Sequence, residues 1–408
     1  MIDSEASTGG FSRTYGYKRG IEHGNPDFNT RFRVNAPEAS LLPGVRDRVE
    51  ARGNGMLQIL MEENLAQLKG ATLYCEIWGG HPGTEAKRVS VNGRSTYALP
   101  EVGTAAGHCT HQYPTIPLQL TDLVNGYNVF QFACDQGTSF WGHFIVDNAS
   151  LNAILKPDHP LLKATGLDGF RAWVEVSERT GNQAGEERML HLNSTDPSMI
   201  AQVHFIGYYK GYDENGNALG RDWHGFTKAR MPTAILGTAT KPPFTITWDT
   251  GMLPDQQEVR VRARMIFKNR PDLYFDTAVA DVPAIPERPA IVTLEPAQDI
   301  PAPFWSRDGE ARHCTIPLGM DPAGIERAQL HVVIWDGGSG TVDDPFSLNG
   351  EPLPVVGEGE HDVLYRVLEI DPQILQQGAN EIVVVSNTEH HGIEILLPGP
   401  ALIVRRGR

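Results

Sequence analysis

The stretch IWGGHPGTEAKRVSVNG, from Ile77 to Gly93, returns without a gap as IWDGGSGTVDDPFSLNG, from Ile334 to Gly350. A constant offset keeps Ile, Trp, two Gly, Thr, Ser, Asn and Gly in register, and the alignment reaches back to Leu57 and Cys314. Downstream, LVNGYNVFQF (Leu123–Phe132) corresponds to LQQGANEIVV (Leu375–Val384), with a longer spacer between Asn92 and Asn128 than between Asn349 and Asn380. A unit repeated this far apart predicts two like modules around an inserted third. The extra residues fall between strands, where loops accept insertions.

Strand signals surround the repeat. In ATLYCEIW, Leu73, Cys75 and Ile77 fall on one side and Tyr74, Glu76 and Trp78 on the other, which is the period of two of a sheet. Asn92-Gly93 offers a tight turn, because both residues accept positive φ at low cost. The clearest strand is EVRVRARMIF, where Val259, Val261, Ala263 and Met265 face one way and Arg260, Arg262 and Arg264 the other. It predicts an antiparallel sheet with one wet face. FSRTYGYKRGIEHGNPDFNTRFRV, AWVEVSE, AQVHFIGYYKGY and PPFTITWDT read the same way. Only short segments such as Glu62–Leu68 and Pro372–Gln376 have helical character, too short to stand alone. The fold class is all-β.

At 408 residues the chain exceeds what one core usually serves. Pro157 and Pro160 mark one connector, and the proline-rich run from Asp281 to Trp305 marks another, since proline removes ladder donors. The expectation is three β-sandwich domains over 1–158, 159–292 and 293–408. With 42 Gly, 29 Pro and 21% charged residues, the composition is that of a turn-rich globular chain. A formal net charge of −15 argues against nucleic acid and anionic membrane as partners, because their binding relies on clustered Lys and Arg. No apolar run is long enough for membrane insertion. The start MIDSEASTGGFSRTYGYKRG lacks the apolar core of a secretory signal, so the chain is either cytosolic or has lost its signal. Cys75, Cys109, Cys134 and Cys314 form neither a dense disulfide framework nor a zinc pattern. A Cys75–Cys134 bridge stays open beside buried free thiols.

The order strand-IW, glycine-rich turn, NG hairpin, then G-x-N opening a late strand resembles the jelly-roll modules of the galactose-binding-like superfamily. The matching residues are Asn92, Gly93, Gly126 and Asn128, and again Asn349, Gly350, Gly378 and Asn380. The middle segment, with Trp248 and Asp249 ahead of the Val259–Phe267 strand, is similar to an immunoglobulin or fibronectin type III sandwich. The resemblance implies glycan binding without catalysis, often with a structural calcium ion. The Asn-Gly positions themselves are explained as turns.

Histidines cluster twice, as His108 and His111 around Cys109 and as His390 and His391 beside Glu389. The first group has the donors of a transition-metal site but no identifiable third and fourth ligand, so exposed or turn-capping histidine is the competing reading. The loops ahead of Gly142 and Gly392 correspond, which puts Trp141, His143, His390, His391 and Glu394 forward as ligand-binding residues at sandwich ends. Tyr212 and Trp223 join them as candidate stacking aromatics for sugar, though alternation sends every second such ring inward. In GYDENGNALGRDWHG, Asp213, Asn215, Asn217 and Asp222 are spaced like calcium ligands. Ala218 and His224 stand where a helical calcium hand needs Gly and Glu, which leaves a looser calcium loop or a hairpin turning at Asn215-Gly216.

No nucleophile elbow, zinc-protease, phosphate-loop or dinucleotide motif is present. The leading expectation is a secreted or cell-surface β-sandwich protein that binds carbohydrate. Beside it stands a glycoside hydrolase or polysaccharide lyase built on His108, His111, Trp141, His390 and Glu394, with Asp343-Asp344 or Glu389 and Glu394 as paired acids. A fibre or surface-layer component is the third.

Overall fold

The computed structural model describes residues 9–16, 32–34, 56–79, 84–99, 110–134, 144–178, 186–209, 211–212, 235–282, 290–356, 359 and 362–407. Among these the architecture is all-β, with one α-helix, Pro160–Thr165. The two segments with helical character are three-residue 3-10 turns, Leu65–Gln67 and Pro372–Ile374. The α-helix falls in the stretch marked as a connector, and its signals are local. His159 caps its N-terminus, Pro160 fills the first position, and Gly166 closes it at φ 72°.

Alternation sets the layers. Within Arg260–Phe267, Val261, Ala263, Met265 and Phe267 are buried. The face expected to be wet is half-buried instead: Arg264 forks onto Asp276 at 2.7 Å through both Nε and Nη2, and Arg262 lies over the Tyr208 ring at 5.4 Å. Guanidinium groups can be covered this way because they stack and pair at once.

One sheet of 11 strands crosses the first two thirds of the chain. Its main path runs Ile235–Ala239, Ile200–Tyr208, Arg260–Phe267, Arg270–Asp276, Gly10–Gly16, Phe144–Leu155, Leu68–Trp78, His111–Gln112. Gly10–Gly16 is the link, with Ser12 opposite Ile154 on one edge and Gly10 opposite Asp276 on the other, both antiparallel. Against one end packs the four-stranded sheet of Met56–Met61, Gly126–Ala133, Arg88–Val91 and Ser95–Ala98. Against the other packs the three-stranded sheet of Ala172–Glu178, Glu187–Ser194 and Thr245–Asp249. A single apolar cluster from Phe11 to Val282 fills both interlayers. Phe11 sits at its waist, 4.8 Å from Phe275 and 6.1 Å from Phe170 between ring centroids. Beside it, Glu63 accepts from Arg13 (2.6 Å), Tyr15 (2.7 Å) and His159 (3.0 Å), and Arg13 also reaches Asp272 at 2.9 Å. This buried carboxylate is stabilised by having each approach filled by a donor.

The last third is a separate sandwich. Ala290–Pro296, Ala401–Gly407, Ile325–Gly337, Gly392–Ile395 and Trp305–Ser306 form one sheet, with Asp362–Ile370 also on Ile325–Gly337. Arg312–Leu318, Gly378–Val384, Phe346–Leu348 and Glu351–Pro352 form the facing sheet. Ile316, Val332, Ile334, Phe346, Ile382 and Val384 fill the space between.

The two Asn-Gly segments carry the same hydrogen bonds. Asn92 and Asn349 take φ of 49° and 52°, and their Nδ2 groups donate to Asn128 Oδ1 at 2.9 Å and Asn380 Oδ1 at 2.8 Å. Their Oδ1 atoms accept from Val129 N and Glu381 N, each at 2.8 Å. The Asn side chains thus replace backbone partners missing at the hairpin. Cys75, Cys134 and Cys314 are buried free thiols, and burial pushes the Cys314 thiol up to about 12.

Candidate functional site

Strand register at one end of the C-terminal sandwich assembles the site. Trp305 lies opposite Glu394, Glu394 opposite Trp335, and Trp335 opposite Val363. Directly opposed residues share a sheet face, so Trp305, Glu394 and Trp335 form a row, the two indoles ~10 Å apart across two interstrand spacings. Alternation turns this row outward: Ile334, Ile393 and Ile395 belong to the sandwich core, which sends Trp335 and Glu394 to the opposite face. Both indoles are half-buried and Glu394 is 7% exposed.

The loops around the row fix its side chains. Trp305 Nε1 donates to the His391 carbonyl at 2.8 Å, and the Arg307 guanidinium lies 4.3 Å from the Trp305 ring centroid, a cation–π contact. The His391 ring is 6.2 Å from that of Trp335. His390 and Glu389 stand further out, 3.8 Å apart and 75% and 83% exposed. Beneath, the Asp336 carboxylate accepts from Gly338 N at 3.1 Å and Gly359 N at 3.3 Å. Ser386 Oγ donates to the Gly338 carbonyl at 2.8 Å, and its amide donates to Ser306 Oγ at 2.8 Å. Gly392, at φ 108°, leaves no room for a Cβ against the Ser306 carbonyl, so the strand carrying Glu394 approaches Trp305 only with glycine there.

This geometry sets two half-buried indoles on either side of a buried carboxylate, with guanidinium and imidazole groups at the rim. It brings together His391 and Glu394 of the sequence-derived set, with His390 at the margin. Tyr212 lies elsewhere. It is stacked on Tyr365 at 5.5 Å and 4°, donates to the Gly399 carbonyl at 2.8 Å and accepts from Val333 N at 3.1 Å. At 2% exposure it seals the middle segment onto the C-terminal sheet, in a cluster that Trp78 and Trp335 both pack against. The two Ile-Trp dipeptides thus send their isoleucines into separate cores and their tryptophans toward one seam.

Trp141, His143, Trp223, His108, Cys109 and the calcium-type set Asp213, Asn215, Asn217 and Asp222 lie outside the described residues. His111 pairs through its backbone with Trp78. Among the described residues, no group of three or more His, Cys, Asp and Glu is placed to hold a metal ion. Sequence reasoning missed Trp305, Arg307 and Trp335 as site residues. For Trp335 a signal existed, since Ile334 and Trp335 must face opposite ways on a strand. Trp305 had none, because its strand is two residues long and begins at the last residue of the proline-rich run.

No family model and no curated protein matches this sequence. Among solved structures it is similar to a β-porphyranase of glycoside hydrolase family 86 from the human gut bacterium Bacteroides plebeius, at 14% identity and a TM-score of 0.25, over 58% of this chain and 37% of that one. It is also similar to an exo-β-1,3-galactanase from Phanerochaete chrysosporium, at 11% identity and a TM-score of 0.17, over 78% of this chain and 81% of that one. The chain spans just over a third of the length of the porphyranase. At these TM-scores neither likeness bears on fold or function.

Proposed function

We propose that this chain binds carbohydrate, and that its C-terminal sandwich holds a sugar over the Trp305–Glu394–Trp335 row. The observation that carries the reading is the register itself, which sets a carboxylate between two indoles on adjacent strands. Pyranose rings present C–H faces that pack on aromatic rings and hydroxyls that need acceptors and donors, and the row with its Arg307 and His391 rim supplies both. In this reading, residues 1–158 and 293–408 are jelly rolls of the galactose-binding-like kind around an immunoglobulin-like segment. The shared hydrogen bonds of Asn92 with Asn128 and Asn349 with Asn380 support the likeness of the two flanking modules.

The competing reading is glycoside cleavage, which uses two carboxylates across one bond; Glu394 lies in the row and Glu389 on the loop beside it. The test is isothermal titration against a polysaccharide panel with the intact chain, Trp335→Ala and Glu394→Gln. Expected is loss of about tenfold or more in affinity for each variant, with reducing ends unchanged over the incubation. Wild-type affinity in both variants would remove the row from the binding surface.

A further inference from the structure

The three-stranded sheet Ala172–Glu178, Glu187–Ser194, Thr245–Asp249 has an inner face of Val174, Leu190, Leu192 and Trp248 in the main core. Its outer face is built differently. Register places Trp173 opposite Asn193, then Glu175, His191 and Thr245 across the next row, then Ser177, Met189 and Thr247. Trp173 is 54% exposed and Met189 is also exposed, although core packing makes no use of either. Trp173 and Met189 give this otherwise polar face its apolar surface.

The polar groups around it are already oriented. Asn193 Nδ2 donates to Glu175 Oε2 at 3.0 Å, and His191 Nδ1 is 2.7 Å from Thr245 Oγ1. These bonds tie neighbouring strands' side chains flat along the sheet, so a ligand need not order them. The three rows measure about 10 by 14 Å from strand spacing and rise. They hold one carboxylate, Glu175, and neither Lys nor Arg. Arg171, exposed opposite Thr195, stands just beyond Trp173 at the edge of these rows; the rows themselves hold no cation to pair with uronate, sulfate or phosphate and match a chain of hydroxyls.

We propose that this face is a second binding surface, separate from the Trp305–Glu394–Trp335 row, that takes an uncharged polysaccharide. One sugar ring stacks on Trp173, while Asn193, Glu175, His191 and Thr245 meet the hydroxyls of its neighbours. Their second lone pairs and hydrogens remain for the ligand after the bonds given above.

Affinity electrophoresis of the full chain tests it, in gels holding neutral glucan, xylan, mannan or galactan, with pectate and alginate as charged counterparts. Expected is retardation by at least one neutral polymer and by neither charged one, weakened about tenfold or more in Trp173→Ala with an unchanged melting temperature. Asn193→Ala gives a smaller loss. A Trp335→Ala, Glu394→Gln double variant separates the two surfaces. Residual, Trp173-dependent retardation of that variant supports the second surface, even if the row proves inert. Wild-type retardation of Trp173→Ala, complete loss in the double variant, preference for pectate or alginate, or no retardation by any neutral polymer each overturns it.

Discussion

Asn349 donates through Nδ2 to Oδ1 of Asn380, 2.8 Å away, and Asn380 in turn donates to the Gln376 carbonyl at 2.9 Å and accepts from the Gln376 amide at 2.8 Å. One fully buried amide thereby closes a turn and ties it to a hairpin 31 residues upstream. Replacing Asn380 with Ala removes its part-buried bonds to Asn349, Gln376 and Gly378 together with the buried one to the Ile316 carbonyl, and a polar group left unpaired away from water is costly. A loss of about 3 kcal/mol is expected, read as a lower urea midpoint at unchanged slope. Asn128→Ala, with the matching bonds to Val124 and Gly126, should behave alike.

Gly392→Ala forces a Cβ onto the Ser306 carbonyl at a backbone angle that L-residues avoid. The strand that holds Glu394 must then shift away from Trp305. Stability should fall by about 2 kcal/mol or more, and glycan affinity at the row should fall with it. Gly350→Ala, where a Cβ meets nothing, should show the φ penalty without the loss of affinity.

Removing the Tyr212 hydroxyl tests the seam between segments. Tyr212→Phe keeps the stacking on Tyr365 but leaves Val333 N–H and the Gly399 carbonyl without this partner. About 1–2 kcal/mol of destabilisation is expected, and limited proteolysis should cut between the C-terminal sandwich and the rest more readily.

Acid should loosen the junction around Arg13. The Arg270 guanidinium, helped by Arg13, holds the Asp272 carboxyl down to about 2 from an ordinary 3.8. A carboxyl depressed by folding contributes stability that is complete above the unfolded value and disappears as pH falls from about 3.8 toward 2. Asp272→Asn should flatten the pH dependence of the denaturation midpoint over that window and leave the slope near neutrality unchanged.

Legibility followed the range of the forces involved. Val259 to Phe267 announced a strand because burial alternates residue by residue, and Asn92-Gly93 announced a turn because φ preference is a property of two residues. Glu394 and His391 were found as loop-end residues, yet Trp305 entered the site only through a register set by Gly392–Ile395, a pairing across 89 positions. The helix after His159 was missed although its cap, proline and glycine are all local; the two prolines there read as a break in the chain. Arg264 and Arg262 looked solvated because nothing near them in sequence reveals Asp276 as their cover.

Gly10–Gly16 has neighbours at Phe144–Leu155 and at Arg270–Asp276. During synthesis this ribbon leaves the ribosome long before either flank exists, and its second flank follows by more than 250 residues. The first two thirds of the chain therefore cannot be completed one module at a time; closure waits on a late, long-range event, the kind that slows folding and exposes strand edges to helpers or to misassembly meanwhile.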